Sequence, residues 1–287
     1  MANLSIAPAQ PSQAPELGRI CYEAFQDISD RHGFPTDFPS VEFARMILGM
    51  LIGSEDYYSI AALQDGRPVG SNYLSIRDEV GGVGPVSVDV PAQGNGVGRM
   101  LMEDVLNYAR QNGMERVRLM QDSFNMASLS LYASLGFDTK EPVALMIPKA
   151  AAHPDESVRP LSPDDLPAIE GLSRDIYKVS RRNAVAAAPQ MGITPLVKES
   201  RGRLAGYLVP GIIGHGVAQT EEEMLALIGE AARRSAPREV EVFCPLTEGS
   251  LFRKLIAAGS RVVKVMNLMA YGPYEAPDGV WLPSVAY

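Results

Sequence analysis

Gln93-Gly94-Asn95-Gly96-Val97-Gly98 follows the alternating run Val86-Ser87-Val88-Asp89-Val90 and leads into the amphipathic stretch from Val97 to Gln111. Alternation predicts a strand, and the stretch after the glycines predicts a helix. A glycine-rich turn that feeds a helix N-terminus presents unbonded backbone N–H groups and the positive end of the helix dipole. The turn therefore reads as a seat for a pyrophosphate.

Working outward on the N-terminal side, Leu4 to Ala7 predicts a short strand, and Pro15 to Arg31 a helix that stops at Gly33. The two prolines of Gly33-Phe34-Pro35-Thr36-Asp37-Phe38-Pro39 exclude a helix there, and Ser40 opens a second helix through Leu51. Three strands are expected at 57–63, 69–76 and 83–90, consecutive and antiparallel, turning at Asp65-Gly66 and Gly81-Gly82. Beyond the glycine turn and its helix come a strand at 116–120, a helix from Met126 to Leu135 stopped by Gly136, and strands near Phe137 and at 143–147. The run from Pro148 to Ser157 has no periodicity and reads as a linker.

A second unit opens at Val158-Arg159-Pro160 and repeats the strand-then-helix step, with Ser162-Pro163 starting a helix that runs to about Ser180. At an offset of about 123 residues, Val117 and Leu119 fall on Val240 and Val242, Gly136 falls on Gly259, and the helix 97–111 falls on 220–234. This is a degenerate internal duplication. In it Gly216-Val217-Ala218-Gln219-Thr220-Glu221 stands where the glycine turn was, and Thr220-Glu221-Glu222-Glu223 is a capping box whose carboxylates charge the place an anion would take. Leu255 and Glu248 replace Tyr132 and Asn125.

Composition bounds the function. The chain has 287 residues, 46% of them apolar, enough for two domains, with a formal net charge of −8. That charge speaks against a nucleic-acid surface and mildly for cationic small ligands. Cys21 and Cys244 have no disulfide or metal-ligand spacing, and no metal is expected. With no apolar run long enough to span a bilayer and no leader-like N-terminus, the chain reads as soluble and cytoplasmic.

Two motifs together carry a resemblance. Gln93-x-x-Gly96-x-Gly98, with Asn125-x-x-Ser128-x-x-Leu131-Tyr132-x-x-x-Gly136-Phe137, resembles the acyl-CoA loop and following helix of the GNAT superfamily of N-acetyltransferases, over about residues 4 to 148. The resemblance implies an α/β (α+β) fold: two tandem GNAT-like domains, each a mixed, mostly antiparallel sheet flanked by helices. Residues 1–149 would be the catalytic, acetyl-CoA-binding domain, and 157–287 a degenerate copy with an extended C-terminal segment. It further implies that backbone groups of Val88, Asp89 and Val90 meet the pantetheine and thioester. Gln93, Gly94, Asn95, Gly96, Val97 and Gly98 would hold the diphosphate, with Asn125, Ser128 and Tyr132 on the adjoining helix face. Tyr132 would protonate the leaving thiolate. The usual proline of the loop is displaced by one place, standing at Pro91 after Val90.

The acceptor amine must be neutral to attack, so a base is required. Asp89 is the carboxylate nearest the loop, with Glu23 and Asp27 of the first helix as alternatives. The proline-rigid loop carries His32, Phe34 and Phe38, which the resemblance makes acceptor contacts. The second half is left for packing, for completing the acceptor pocket or for dimerisation. The expected activity is N-acetylation of a primary amine by direct transfer in a ternary complex. The alternative is a non-catalytic acyl-CoA-binding sensor or interaction module. A dinucleotide enzyme is disfavoured, because the glycines follow antiparallel strands in mid-domain. The absence of Lys-Ser or Lys-Thr after the loop removes a nucleotide P-loop.

Overall fold

The computed structural model describes residues 3–211, 213–247 and 249–286. The chain divides into two compact units, Met1–Asp138 and Thr139–Tyr287.

The first unit runs β1 (Leu4–Pro8), α1 (Ala14–His32), α2 (Val41–Ile52), β2 (Tyr57–Gln64), β3 (Arg67–Ser75), β4 (Gly81–Val83), β5 (Ser87–Val88), α3 (Val97–Gln111), β6 (Val117–Asp122) and α4 (Met126–Ser134). In α1, Leu17, Ile20, Cys21 and Ala24 recur at helical spacing and are buried. The helix ends where Gly33 takes φ 71°, as expected of its cap. Ser40 caps α2 by accepting the Phe43 N–H at 3.1 Å. Asp65 and Gly66, at φ 50° and 81°, close the β2–β3 hairpin. The strands order β1-β2-β3-β4-β6, with β5 also on β3. The first four are antiparallel neighbours in sequence order.

Three details differ from the sequence expectation. Gly81-Gly82 is not a turn but opens β4. The run 83–90 is not one strand: Val83 ends β4, and only Ser87–Val88 beyond Gly84-Pro85 pair again, as β5, because proline offers no N–H to continue a ladder. The pair of strands expected near Phe137 and at 143–147 is a single strand, β7 (Asp138–Ile147).

All but the first residue of β7 lies in the second unit, where β7 pairs antiparallel with β12 (Val242–Pro245), Met146 opposite Val242 and Ala144 opposite Cys244. The units therefore part at 138/139, ahead of the 148–157 linker. The cause is a pairing that unites residues a hundred positions apart in sequence. The remaining elements of this unit are β8 (Val158–Pro160), α5 (Leu166–Tyr177), α6 (Arg182–Ala187), β9 (Leu196–Ser200), β10 (Arg203–Leu208), β11 (Gly216–Ala218), α7 (Glu221–Ser235), α8 (Ser250–Ala257), β13 (Arg261–Tyr271) and β14 (Val280–Leu282). They repeat the first unit's order of strand, two helices, strands, helix, strand, helix, strand. β11 leads into α7 with only Gln219 and Thr220 between them, so the glycine turn has no counterpart.

A five-stranded sheet, β14-β11-β10-β9-β8, and the strands β13-β7-β12 flank a core that includes Met146, Leu227 and Leu255. The C-terminal segment is an integral part of this sheet. Trp281 sits opposite Val217, and the Tyr177 hydroxyl donates to the Leu282 carbonyl. Gly214-His215-Gly216 does not leave its histidine at the surface: His215 is buried beside Tyr177 and Tyr207, and burial holds its pKa well below the usual value. Tyr287 and Glu248 lie outside the described residues.

Glu230 of α7 is fully buried and accepts from Arg233 (2.6 and 2.8 Å) and Arg234 (2.7 Å). Hydrogen bonding by Arg233 first, then Arg234, lowers its carboxyl pKa from 4.5 to about 2. A depressed carboxylate stabilises the fold above its unfolded pKa and loses that contribution as pH falls through the folded one. The melting temperature is therefore expected to show a component that declines between pH 4.5 and about 2. Glu230→Gln should lack it, so that the two proteins' melting temperatures converge towards the acid end of a thermal series.

Candidate active site

Strands β4 and β6 run parallel and pair only at Gly81 with Val117 and Gly82 with Arg118. Beyond that point β5 stays with β3, Val88 opposite Gly70 and Ser87 opposite Ser71. β4–β5 and β6 therefore diverge toward their C-terminal ends, where a ligand can reach backbone that a continuous ladder would consume. The Asp89 N–H donates to the Val69 carbonyl at 2.8 Å. Alternation along an antiparallel pair then turns the N–H and C=O of Val88 away from β3, toward the divergence. The Val88 carbonyl already accepts from the Gln93 side chain at 3.1 Å.

A 3-10 turn over Val90–Ala92 begins directly after this strand, which is how the displaced Pro91 is accommodated at a first-turn position. Gly94 and Gly96 then take φ 77° and 83°, left-handed values that side chains resist. Gly96 is the N-cap of α3, and no side chain caps this helix; no acidic residue lies in its first turn. The first intrahelical bond runs from Met100 N–H to Gly96 C=O. The N–H groups of Val97, Gly98 and Arg99 are thus unclaimed by the helix, as the start of any helix requires. A Cβ on Gly98 would stand 3.4 Å from Leu131 and 3.8 Å from Val88, so this glycine brings α3, α4 and β5 together.

The second unit supplies the contrast. Thr220 and Glu223 of α7 form a reciprocal capping box, at 3.3 and 3.0 Å, and Lys254 pairs with Glu221 and Glu222. Its helix start thus carries a side-chain cap and three acidic residues in the first turn.

On α4, Asn125 is the N-cap and accepts the Ser128 N–H at 3.2 Å. Gln121, a buried residue of β6, donates to the Asn125 carbonyl (2.8 Å) and to Ser128 Oγ (3.1 Å). Gln121 was not singled out from the sequence. A polar residue inside an otherwise apolar strand is the signal that marks it. Tyr132 is 8% exposed and its ring lies 6.1 Å from that of Phe137. Burial, and after it the Asp122 charge, pushes its hydroxyl pKa well above the usual value. Tyr132 therefore keeps its proton at neutral pH and above.

The carboxylates are engaged. Asp89 lies 3.8 Å from Arg19, whose guanidinium also pairs with Glu16 and Glu23, and Asp27 pairs with Arg31 at 2.6 Å. Arg19 thus ties α1 to the end of β5. The expected acceptor residues divide. His32 and Phe34 meet Phe124, in the turn between β6 and α4: Phe34 stacks on it at 4.4 Å and 7°, and His32 lies 5.3 Å away. Phe38 instead is buried in the core of the unit, edge-on to Phe25 at 5.1 Å. Its assignment as an acceptor contact is corrected accordingly: in an irregular loop no periodicity tells the inward aromatic from the outward one. Among the described residues no cluster of His, Cys, Asp or Glu could hold a metal, and no helix is long and apolar enough to cross a membrane.

The chain is similar to known acetyltransferases in sequence and in fold. A family model described as "Acetyltransferase (GNAT) family" matches residues 21–137. The mycothiol acetyltransferase of Thermomonospora curvata is 39% identical over 93 residues, 32% of this chain and 31% of that protein. The mycothiol acetyltransferase of Kocuria rhizophila is 42% identical over 133 residues, 44% and 38% of the two chains. The chain thus spans well under half the length of these relatives. Among solved structures, a candidate acetyltransferase from Pyrococcus horikoshii superposes with a TM-score of 0.79 at 16% identity, over 99% of this chain and 95% of that one. A GCN5-related N-acetyltransferase from Sphaerobacter thermophilus gives 0.63 at 16% identity, over 96% and 98%. Both likenesses concern the fold, and both extend across the two units.

Proposed function

We propose that this protein is an acetyl-CoA-dependent N-acetyltransferase, a reading supported by the GNAT family model that matches residues 21–137 and by the likeness of the fold to solved acetyltransferases. In this reading the acetyl group moves directly to a primary amine within a ternary complex. The observation that carries it is the uncapped start of α3, reached through two left-handed glycines beside diverging strands. Such a terminus offers several N–H groups and a positive dipole end to a diphosphate.

Acetyl-CoA brings the activated acyl group; the residues of the chain do the rest. The amides of Gly94 to Gly98 and the side chains of Gln93 and Asn95 hold the diphosphate. Val88 and Val90 offer backbone groups to the pantetheine arm and the thioester carbonyl, a fixed donor where negative charge develops. Asn125 and Ser128, braced by Gln121, hold the start of α4 against the cofactor. Tyr132, kept neutral by burial, gives its proton to the thiolate as the C–S bond breaks. Asp89 serves as the base for the amine, with Arg19 fixing its carboxylate. The second unit, whose α7 terminus is closed by Thr220 and Glu223, binds no cofactor. The acceptor is a small-molecule amine and the location cytoplasmic.

A thiol-release assay tests this. Incubation with acetyl-CoA and a panel of primary amines is expected to free CoA in step with N-acetylated product. Acetyl-CoA that binds without release in the presence of any amine would convert the assignment to that of an acyl-CoA-binding module.

A further inference from the structure

Phe124 is the residue at which two otherwise separate segments of the first unit meet. It follows β6 and precedes the N-cap of α4, at the C-terminal side of the strand divergence. From the other side, the loop between α1 and α2 lays Phe34 flat on it, 4.4 Å between centroids, while His32 tilts toward it at 5.3 Å. Phe34 and Phe124 are half-buried and His32 is exposed. Phe38, three residues beyond Pro35 and sunk in the core, anchors the far end of the loop.

His32 is fixed in one tautomer. Its Nδ1 lies 2.9 Å from the Ile28 carbonyl. A carbonyl can only accept, so Nδ1 carries the proton and Nε2 of the neutral ring is an acceptor. The apolar shelf therefore has a single polar handle, suited to an amine N–H. Of the acids near the shelf, Asp27 is paired with Arg31, Asp30 accepts from Gln26, and Glu16, Glu23 and Asp89 share the one guanidinium of Arg19. The rings themselves offer a flat apolar group the contacts that an aliphatic chain uses less well.

Building on the acetyltransferase reading, we propose that the shelf formed by Phe34, Phe124 and His32 selects the acceptor, and that the acceptor is a primary amine with an aromatic body. The rings take the body, and His32 Nε2 accepts a hydrogen bond from the amine end. No residue of this shelf is assigned to the acyl donor, so acceptor choice and donor binding are separable.

Two measurements on the full chain test this. The first compares kcat/KM for 2-phenylethylamine, n-butylamine and spermidine in the wild type, Phe124→Leu and Phe34→Leu, with Phe124→Tyr as the conservative control. The wild type is expected to favour 2-phenylethylamine over n-butylamine by about tenfold, the scale of one aromatic contact. The leucine variants should bring that ratio close to one through KM, at unchanged acetyl-CoA affinity, and Phe124→Tyr should keep it. The second titrates 2-phenylethylamine calorimetrically into CoA-saturated protein. Binding that weakens in the leucine variants, without turnover in any protein, keeps the shelf and removes the catalytic reading. Turnover that favours spermidine, or a ratio that the leucine variants leave unchanged, overturns the shelf and leaves the catalytic reading standing.

Discussion

Installing the second unit's helix start in the first is expected to weaken donor binding about a hundredfold while leaving the fold intact. Gly96→Thr with Arg99→Glu places at the N-cap and third position of α3 the residue types that Thr220 and Glu223 supply to α7. The box satisfies the orphan N–H groups internally, contributes about 1 kcal/mol to helix stability, and sets a carboxylate where the diphosphate lies. Two costs run the other way. Gly96 must leave φ 83°, and Arg99 gives up its bond to Ser134 at 2.6 Å and its pairing with Glu103. These are of the same order as the cap, so the melting temperature should move by only a few degrees. Acetyl-CoA affinity should fall about a hundredfold, which is about 2.7 kcal/mol. Calorimetry and a thermal scan on the same preparation separate the two effects. Affinity retained within about twofold would mean that the diphosphate does not use this terminus.

Tyr132→Phe should give the second large effect, on rate and not on binding. The hydroxyl is buried, and burial with the nearby Asp122 charge keeps it protonated far above neutral pH. It is therefore available as an acid at any pH at which the enzyme is folded. A positioned general acid contributes roughly 10²–10⁴-fold, and loss of the hydroxyl is expected to lower kcat by at least about a hundredfold with acetyl-CoA affinity unchanged. Steady-state kinetics paired with a direct titration of the donor check both halves. A variant with wild-type kcat would reduce Tyr132 to a core aromatic beside Phe137, and a pure loss of affinity would make it a binding residue only.

What could be read in the sequence was local, and what could not was long-range. The glycine turn, the caps at Ser40, Asn125 and Thr220, and the Asp65-Gly66 hairpin each depend on residues within a few positions of one another, and the structure has all of them. Most of the first unit's order, and the opening strand and helix and the helix at 220–234 of the second, followed from the same signals. Choice of strand partner did not. Nothing near β7 indicates that Met146 will face Val242 instead of closing the sheet of its own half, because pairing is decided by surfaces brought together in the fold. The break at Gly84-Pro85 was visible as two residues but not as a consequence, since alternation on either side masked it.

Legibility was likewise uneven at the site. Backbone conformation announces itself through glycine, so the left-handed turn at Gly94 and Gly96, on which the proposed diphosphate seat rests, was apparent. Side-chain chemistry across elements was not: Arg19 reaches Asp89, and Phe34 reaches Phe124, over separations that no motif spans. Asp89 was singled out as the nearest carboxylate, yet its bridge to Arg19 changes what it offers.

The central claim is that main-chain amides at 93–98 bind one acyl-CoA diphosphate, and that the second unit binds none. Calorimetric titration of the full chain with acetyl-CoA tests it most directly. The account predicts saturation at one equivalent per chain, and no heat of binding in Gly96→Thr/Arg99→Glu at the same concentrations. Two equivalents, or one equivalent that survives the double substitution, would contradict it.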